Sequence, residues 1–203
     1  MSIKISITNS KLGDKIPSLN LPTTVCRADA PCKKGCYAKK GNWLFPNVQN
    51  SLNNNLQEYL QDHKNFFNQI INFINNDDIT YKFFRWFSSG DIVDYNFFKG
   101  MVQVAKTCKQ TNFLCFTKKF SIVNQWLNEG HKIPKNLTII FSGWNKGFEV
   151  ENPYNLPVTY VWFKDESQNA DISEYAIPCT GSCRNCKACW NLKKGQQVYF
   201  KQH

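Results

Sequence analysis

Thr80-Tyr81-Lys82-Phe83-Phe84-Arg85-Trp86-Phe87-Ser88-Ser89-Gly90-Asp91 is the stretch on which the fold turns. Its first part is short, aromatic and bounded by Asp77-Asp78 before and by turn-forming Ser88-Ser89-Gly90-Asp91 after, which is how a buried strand reads. Asp94 then caps a helix whose apolar side is Phe97, Phe98, Met101, Val102, Ala105 and Cys108. Outward from there the pattern repeats. Residues 112–117 read as a strand, and residues 121–129 as a helix with Ile122, Val123, Trp126 and Leu127 inward and Gly130 at its end. Residues 137–142 and 158–163 are two more strands, joined by a link, 143–157, too rich in Gly, Pro and Asn for a helix. On the N-terminal side, residues 3–7 alternate like a short strand and residues 9–22 read as a loop. Apolar residues from Val48 to Ile74 then recur at helical spacing, as one packing helix or two.

Repeated strand–helix units with apolar strands imply an α/β fold with a mainly parallel sheet and right-handed crossovers, either a partial parallel (β/α) barrel or an open sheet. A cysteine-rich N-terminal loop and a cysteine-rich C-terminal tail flank it. The expected organisation is a single domain over 1–203, with a cysteine loop at 23–46, the strand–helix repeat at 47–165 and a metal tail at 175–203. No glycine-rich phosphate loop sits at a strand-to-helix turn, which counts against a nucleotide-binding Rossmann or Walker protein.

The chemistry concentrates in the cysteines. Cys179, Cys183, Cys186 and Cys189 fall at x3, x2 and x2 spacing, and Cys26, Cys32 and Cys36 at x5 and x3. Thiols this close suit thiolate coordination of a soft metal better than disulfides. Zinc ribbons usually divide their ligands between two separated knuckles, whereas one compact run of thiols can wrap a cubane, so an iron–sulfur cluster fits the tail better and zinc is the alternative. Three thiolates leave one iron of a 4Fe-4S cluster open, and four close it; the seven cysteines therefore allow one cluster or two. Lys33, Lys34, Lys39 and Lys40 surround the early thiols and are expected to lower their pKa. Cys108 and Cys115 read as core residues. His63, with no second ligand near it in sequence, is left out of the metal set.

A formal charge of +10 invites a nucleic-acid partner. Yet 22 of the 25 basic residues are Lys and the chain holds 24 Asn, which an AT-rich genome produces without functional selection, so a solvated lysine-rich surface is the competing reading. No run approaches 18 apolar residues and Met1-Ser-Ile-Lys-Ile-Ser has no apolar signal core, so a soluble, cytoplasmic protein with no membrane partner is expected.

Beyond the ends of parallel strands the loops open, and polar groups collect there: Ser88, Ser89, Gly90 and Asp91, then Thr117 and Lys118, then Ser142, Gly143 and Trp144, then Lys164, Asp165 and Glu166. Turns and caps place polar residues at strand ends in any protein, so only the set as a whole is suggestive.

Two resemblances follow. Asn9-Ser-Lys-Leu-Gly13, Leu21-Pro-Thr-Thr, Cys32-x3-Cys36-Tyr37-Ala38, Ser89-Gly90-Asp91 and Ser182-Cys183-x2-Cys186-x2-Cys189-Trp190 resemble, in order, a family of phage proteins, the gene-eighty-eight proteins. More distantly, the chain is similar to radical S-adenosylmethionine enzymes, which combine an early three-cysteine loop, a partial barrel and often a second cluster in a cysteine-rich tail. That likeness implies Cys26, Cys32 and Cys36 around an open cluster and Ser89-Gly90-Asp91 at the methionyl amine; Lys118 and Ser142, from the polar groups at the next strand ends, complete the expected cofactor-binding set. The spacing here is x5 and x3 where that superfamily has x3 and x2, and Asp91 stands where it has Glu. Two functions are thus expected side by side, with no catalytic residue singled out. One is a radical enzyme using S-adenosylmethionine. The other is a non-enzymatic cluster or zinc protein whose basic surface, Lys33, Lys34, Lys39 and Lys40 beside Tyr37 and Trp43, binds nucleic acid or a host protein.

Overall fold

The computed structural model describes residues 2–76 and 79–202; Asp77 and Asp78, expected to bound the first aromatic strand, lie outside them. The strands are β1 (Ile5–Ser6), β2 (Ser18–Leu19), β3 (Phe83–Trp86), β4 (Asn112–Thr117), β5 (Leu137–Ser142), β6 (Val158–Trp162), β7 (Ile177–Pro178) and β8 (Gln197–Lys201). They form one sheet in the order β1-β2-β3-β4-β5-β6-β8-β7. Only β1 and β2 pair antiparallel; every other neighbouring pair is parallel. The helices are α1 (Pro46–Gln61), α2 (His63–Ile74), α3 (Tyr95–Thr107), α4 (Phe120–Asn128) and the single turn α5 (Cys183–Cys186). The fold is therefore mixed α/β on a mostly parallel sheet. The long apolar period from Val48 is two helices, because Asp62 leaves the helical conformation and its carboxylate accepts the Asn65 N–H at 2.9 Å, capping α2. The link between β5 and β6 holds no helix among the described residues.

Strand alternation divides the side chains between two buried faces. Phe84 and Trp86 of β3, Phe113 and Cys115 of β4, and Leu137, Ile139 and Phe141 of β5 meet α2, α3 and α4 through Phe66, Phe67, Ile70, Phe97, Phe98 and Val123. Phe83, Leu114, Phe116 and Ile140 point the other way, onto Leu12, Ile16, Trp190, Leu192 and Val198. Both ends of the chain thus cover the face that the helices leave bare. A parallel sheet buried on both sides is what near-continuous apolar strands require. Burying a large apolar side chain contributes about 1.5–3 kcal/mol, so Trp190, Leu192 and Val198 anchor the tail by packing alone.

Three strands escape the sequence reading: β2 in the supposed loop, and β7 and β8 in the supposed tail. β2 and β7 are two residues long, too short to show a period. β8 does alternate, but its pairing with β6 across the intervening cysteine segment is a tertiary choice.

Candidate metal centre

The early cysteines ride on a succession of short 3-10 turns, Thr23–Val25, Pro31–Gly35, Tyr37–Lys39 and Gly41–Leu44. Such turns reverse the chain every few residues, which keeps the x5 and x3 spaced thiols on one compact loop. Cys26, Cys32 and Cys36 are neighbours there: burial, Asp91, Cys32 and Cys36, in that order, push the Cys26 thiol up to about 12, against the opposing charge of Lys118. The expectation that nearby lysines lower these pKa values is corrected at Cys26. Lys34, Lys39 and Lys40 point into solvent, and desolvation dominates.

This loop is fastened to the carboxyl ends of β3 and β4. Tyr37, a residue 58% exposed, donates from its hydroxyl to the Ser88 carbonyl. Arg27 donates to the Lys118 carbonyl at 3.2 Å and to Asp29, and its guanidinium lies 5.6 Å from the ring centres of both Phe120 and Phe148. Beneath the loop, Phe87 takes a left-handed φ of 59° and turns the chain sharply at the end of β3. The Ser88 and Ser89 N–H groups then both donate to Asn20 Oδ1, at 2.7 and 3.3 Å. Ser89 also closes on Leu21, its hydroxyl donating to the Leu21 carbonyl at 3.0 Å.

Asp91 is 5% exposed. It accepts from Thr117 Oγ1 at 2.6 Å, from the Lys118 N–H at 3.0 Å and from the Ile92 N–H at 2.8 Å. Burial nevertheless outweighs these bonds and raises its pKa. Lys118 Nζ donates to Ser142 Oγ at 2.7 Å and lies 5.8 Å from the Trp144 ring centre. Ser89, Gly90, Asp91, Lys118 and Ser142 are thus one connected rim beside Cys26. Asp165 and Glu166 do not join it; Asp165 caps its own exposed turn through Ser167 and Gln168. Beside the rim, Ser88 Oγ is buried with no hydrogen-bond partner among the described residues.

The four tail cysteines line a second pocket with Trp190, Ile177 and Val198. Cys183 opens α5, and the Cys183 and Arg184 N–H groups donate to the Lys11 carbonyl at 3.0 and 3.3 Å. Asn9-Ser-Lys-Leu-Gly13 is therefore the turn on which the tail docks, shaped by Asn9 Oδ1 accepting from the Lys11 and Leu12 N–H groups. Lys187, with φ of 53°, turns α5 into Ala188–Asn191 so that Cys189 and Trp190 face inward. Burial, then Cys183 and Cys179, push Cys189 up to about 12; burial likewise raises Cys183. All nine thiols are free of disulfides, and Cys108 and Cys115 lie in the helix-covered core. Among the described residues, no three His, Cys, Asp or Glu side chains stand close enough to hold a single metal ion.

Asn20, and Arg85 through its Nε donating to the Phe87 carbonyl at 3.2 Å, carry structural weight here that the sequence reading did not assign. Asn20 was one of 24 asparagines in a composition that conceals it. The only signal for Arg85 was a charge inside an aromatic strand.

The fold and these groups define a mixed α/β protein with cysteine-rich segments from both chain ends set against one sheet. The chain belongs to the phage Gene product 88 family, whose model matches residues 3–192. No curated protein and no solved structure matches it significantly. Among the described residues, no helix is long and apolar enough to cross a membrane.

Proposed function

We propose that this chain is an iron–sulfur protein with two clusters, one on Cys26, Cys32 and Cys36 and one on Cys179, Cys183, Cys186 and Cys189. The observation that carries the reading is the division of seven thiols into a neighbouring three at the strand ends and a separate pocket of four. Zinc would need four donors at about 2.1–2.3 Å from one centre, which requires thiols drawn tightly together. A cluster reaches outward to thiolates that share a pocket without touching, which suits this arrangement better. Raised thiol pKa values mean that loading must displace protons, so metal uptake strengthens as pH rises.

Three thiolates leave an open iron, and the resemblance to radical S-adenosylmethionine enzymes makes that cofactor the proposed ligand. Cys26, Cys32 and Cys36 would hold such a cluster, which, once reduced by an external electron donor, would supply one-electron reduction of the cofactor's sulfonium. Ser89, Gly90 and Asp91 shape the rim, their polar atoms largely spent on Leu21, Thr117 and Lys118, while Lys118 Nζ and Ser142 Oγ bond each other and would have to exchange that bond for one to a ligand.

Anaerobically reconstituted protein is expected to hold about eight irons, as two cubanes require, and Cys32→Ala and Cys183→Ala are each expected to remove about half of the iron and sulfide. A colourless zinc protein, or iron lost wholly by either substitution, sinks the two-cluster reading. Absence of S-adenosylmethionine binding and cleavage removes the enzymatic part alone.

A second, non-enzymatic reading rests on the exposed face of the early loop. Tyr37, Leu44 and Phe45 are each more than half exposed, next to Lys34, Lys39 and Lys40. Aromatic faces among cations suit single-stranded nucleic acid, with a host protein as the competing occupant.

A further inference from the structure

Among the described residues, Arg85 is a cation without an anion. In the parallel register Arg85 stands opposite Ser18 and Leu114, so its side chain leaves β3 on the tail-covered face together with Phe83. Its guanidinium lies 5.0 Å from the ring centre of Phe116, and its Nε donates to the Phe87 carbonyl at 3.2 Å. Among the described residues, no carboxylate lies within ion-pair distance of it. Phe116 packs in the same cluster as Cys179, Cys183 and Cys189, and one residue past Phe87 the Ser88 carbonyl holds Tyr37 of the early loop. The guanidinium therefore lies on the sheet face that the tail thiols share. Its charge lowers Cys183, together with that of Lys11, and Cys189 against the raising effect of burial, and it also lowers Tyr37 of the early loop. A half-buried guanidinium held by one carbonyl and one ring is incompletely compensated, and such charges persist where an opposite charge completes them.

We infer that Arg85 is the charge partner of the tail thiolates, a positioning residue whose guanidinium offsets the negative charge on Cys183 and Cys189 when they ligate a cluster and so raises its midpoint potential. The inference rests on the proposed two-cluster reading. A cubane with four thiolates carries a net charge of about −2 when oxidised and about −3 after taking one electron. A fixed cation favours the more negative form, so neutralising Arg85 makes reduction harder.

The test uses the full chain with Cys32→Ser and Cys36→Ser, so that the tail alone is loaded, reconstituted anaerobically and reduced with dithionite through mediators. Midpoints are read from visible bleaching and electron paramagnetic resonance. Arg85→Gln and Arg85→Met, the second keeping an apolar stem on Phe116, are each expected to lower the reduced-to-oxidised ratio at fixed poise about tenfold, about 59 mV for one electron. Arg85→Lys should restore most of it, and either neutral variant suffices if the other fails to fold. Iron retained with an unchanged midpoint in a folded neutral variant overturns the inference and leaves the two-cluster reading standing. Absence of iron before any change at Arg85 overturns both.

Discussion

Gly90 shows how little freedom single residues have at the rim. With φ of +88°, a Cβ there would stand 2.7 Å from Leu21 Cβ and 2.8 Å from the Leu21 carbonyl oxygen. Left-handed backbone costs a side chain about 1–3 kcal/mol, and overpacking adds a similar amount, so Gly90→Ala is expected to destabilise by about 2–4 kcal/mol in urea unfolding. An unchanged midpoint would mean that the Leu21 strand end moves freely, contrary to its two bonds with Ser89. The glycine that resembles a cofactor-binding residue is thus first a packing requirement, whatever it later touches. Asn20 makes the same point from the polar side, because one amide oxygen fixes both Ser88 and Ser89.

At the scale of elements, the second sheet face depends on the tail. Trp190 is 4% exposed, donates from Nε1 to the Phe84 carbonyl at 3.2 Å, and meets the Phe83 ring edge-on at 5.6 Å. Thr138 Oγ1 donates to the Trp190 carbonyl at 2.9 Å, tying the same residue to β5. Trp190→Ala is expected to cost about 3–5 kcal/mol in urea unfolding and to strip iron from the tail pocket while sparing the early loop. Full iron retention would mean that the cysteines hold themselves in place without the indole. Helices α2, α3 and α4 were visible in advance because each carries its own period. β2 and β7 were not, since a pair of residues becomes a strand only when a neighbour supplies the ladder.

For the whole molecule, the formal charge of +10 bears on the choice of partner. Three exposed lysines, Lys34, Lys39 and Lys40, beside Tyr37 form a contact surface of defined size. Single-stranded DNA bound there should weaken with salt at a log–log slope of roughly −2, as three phosphate contacts imply. Lys39→Ala with Lys40→Ala should flatten that slope, and binding indifferent to salt, or none, disposes of the nucleic-acid reading. The two groups of thiols were legible in outline, since their tight spacing is a local property of the sequence. Their setting was not: Arg85 and Asn20 gain meaning only from residues far along the chain.

The sequence by itself determined the strand–helix repeat, the apolar faces of the helices and the two groups of thiols, because periodicity and close spacing are local properties. Only the tertiary structure decided that β8 slots beside β6, that both chain ends cover one sheet face, and that a strand arginine shares that face with the tail cysteines. Those outcomes depend on which distant surfaces bury one another, and that free energy is set by contacts between segments rather than by any segment's own pattern.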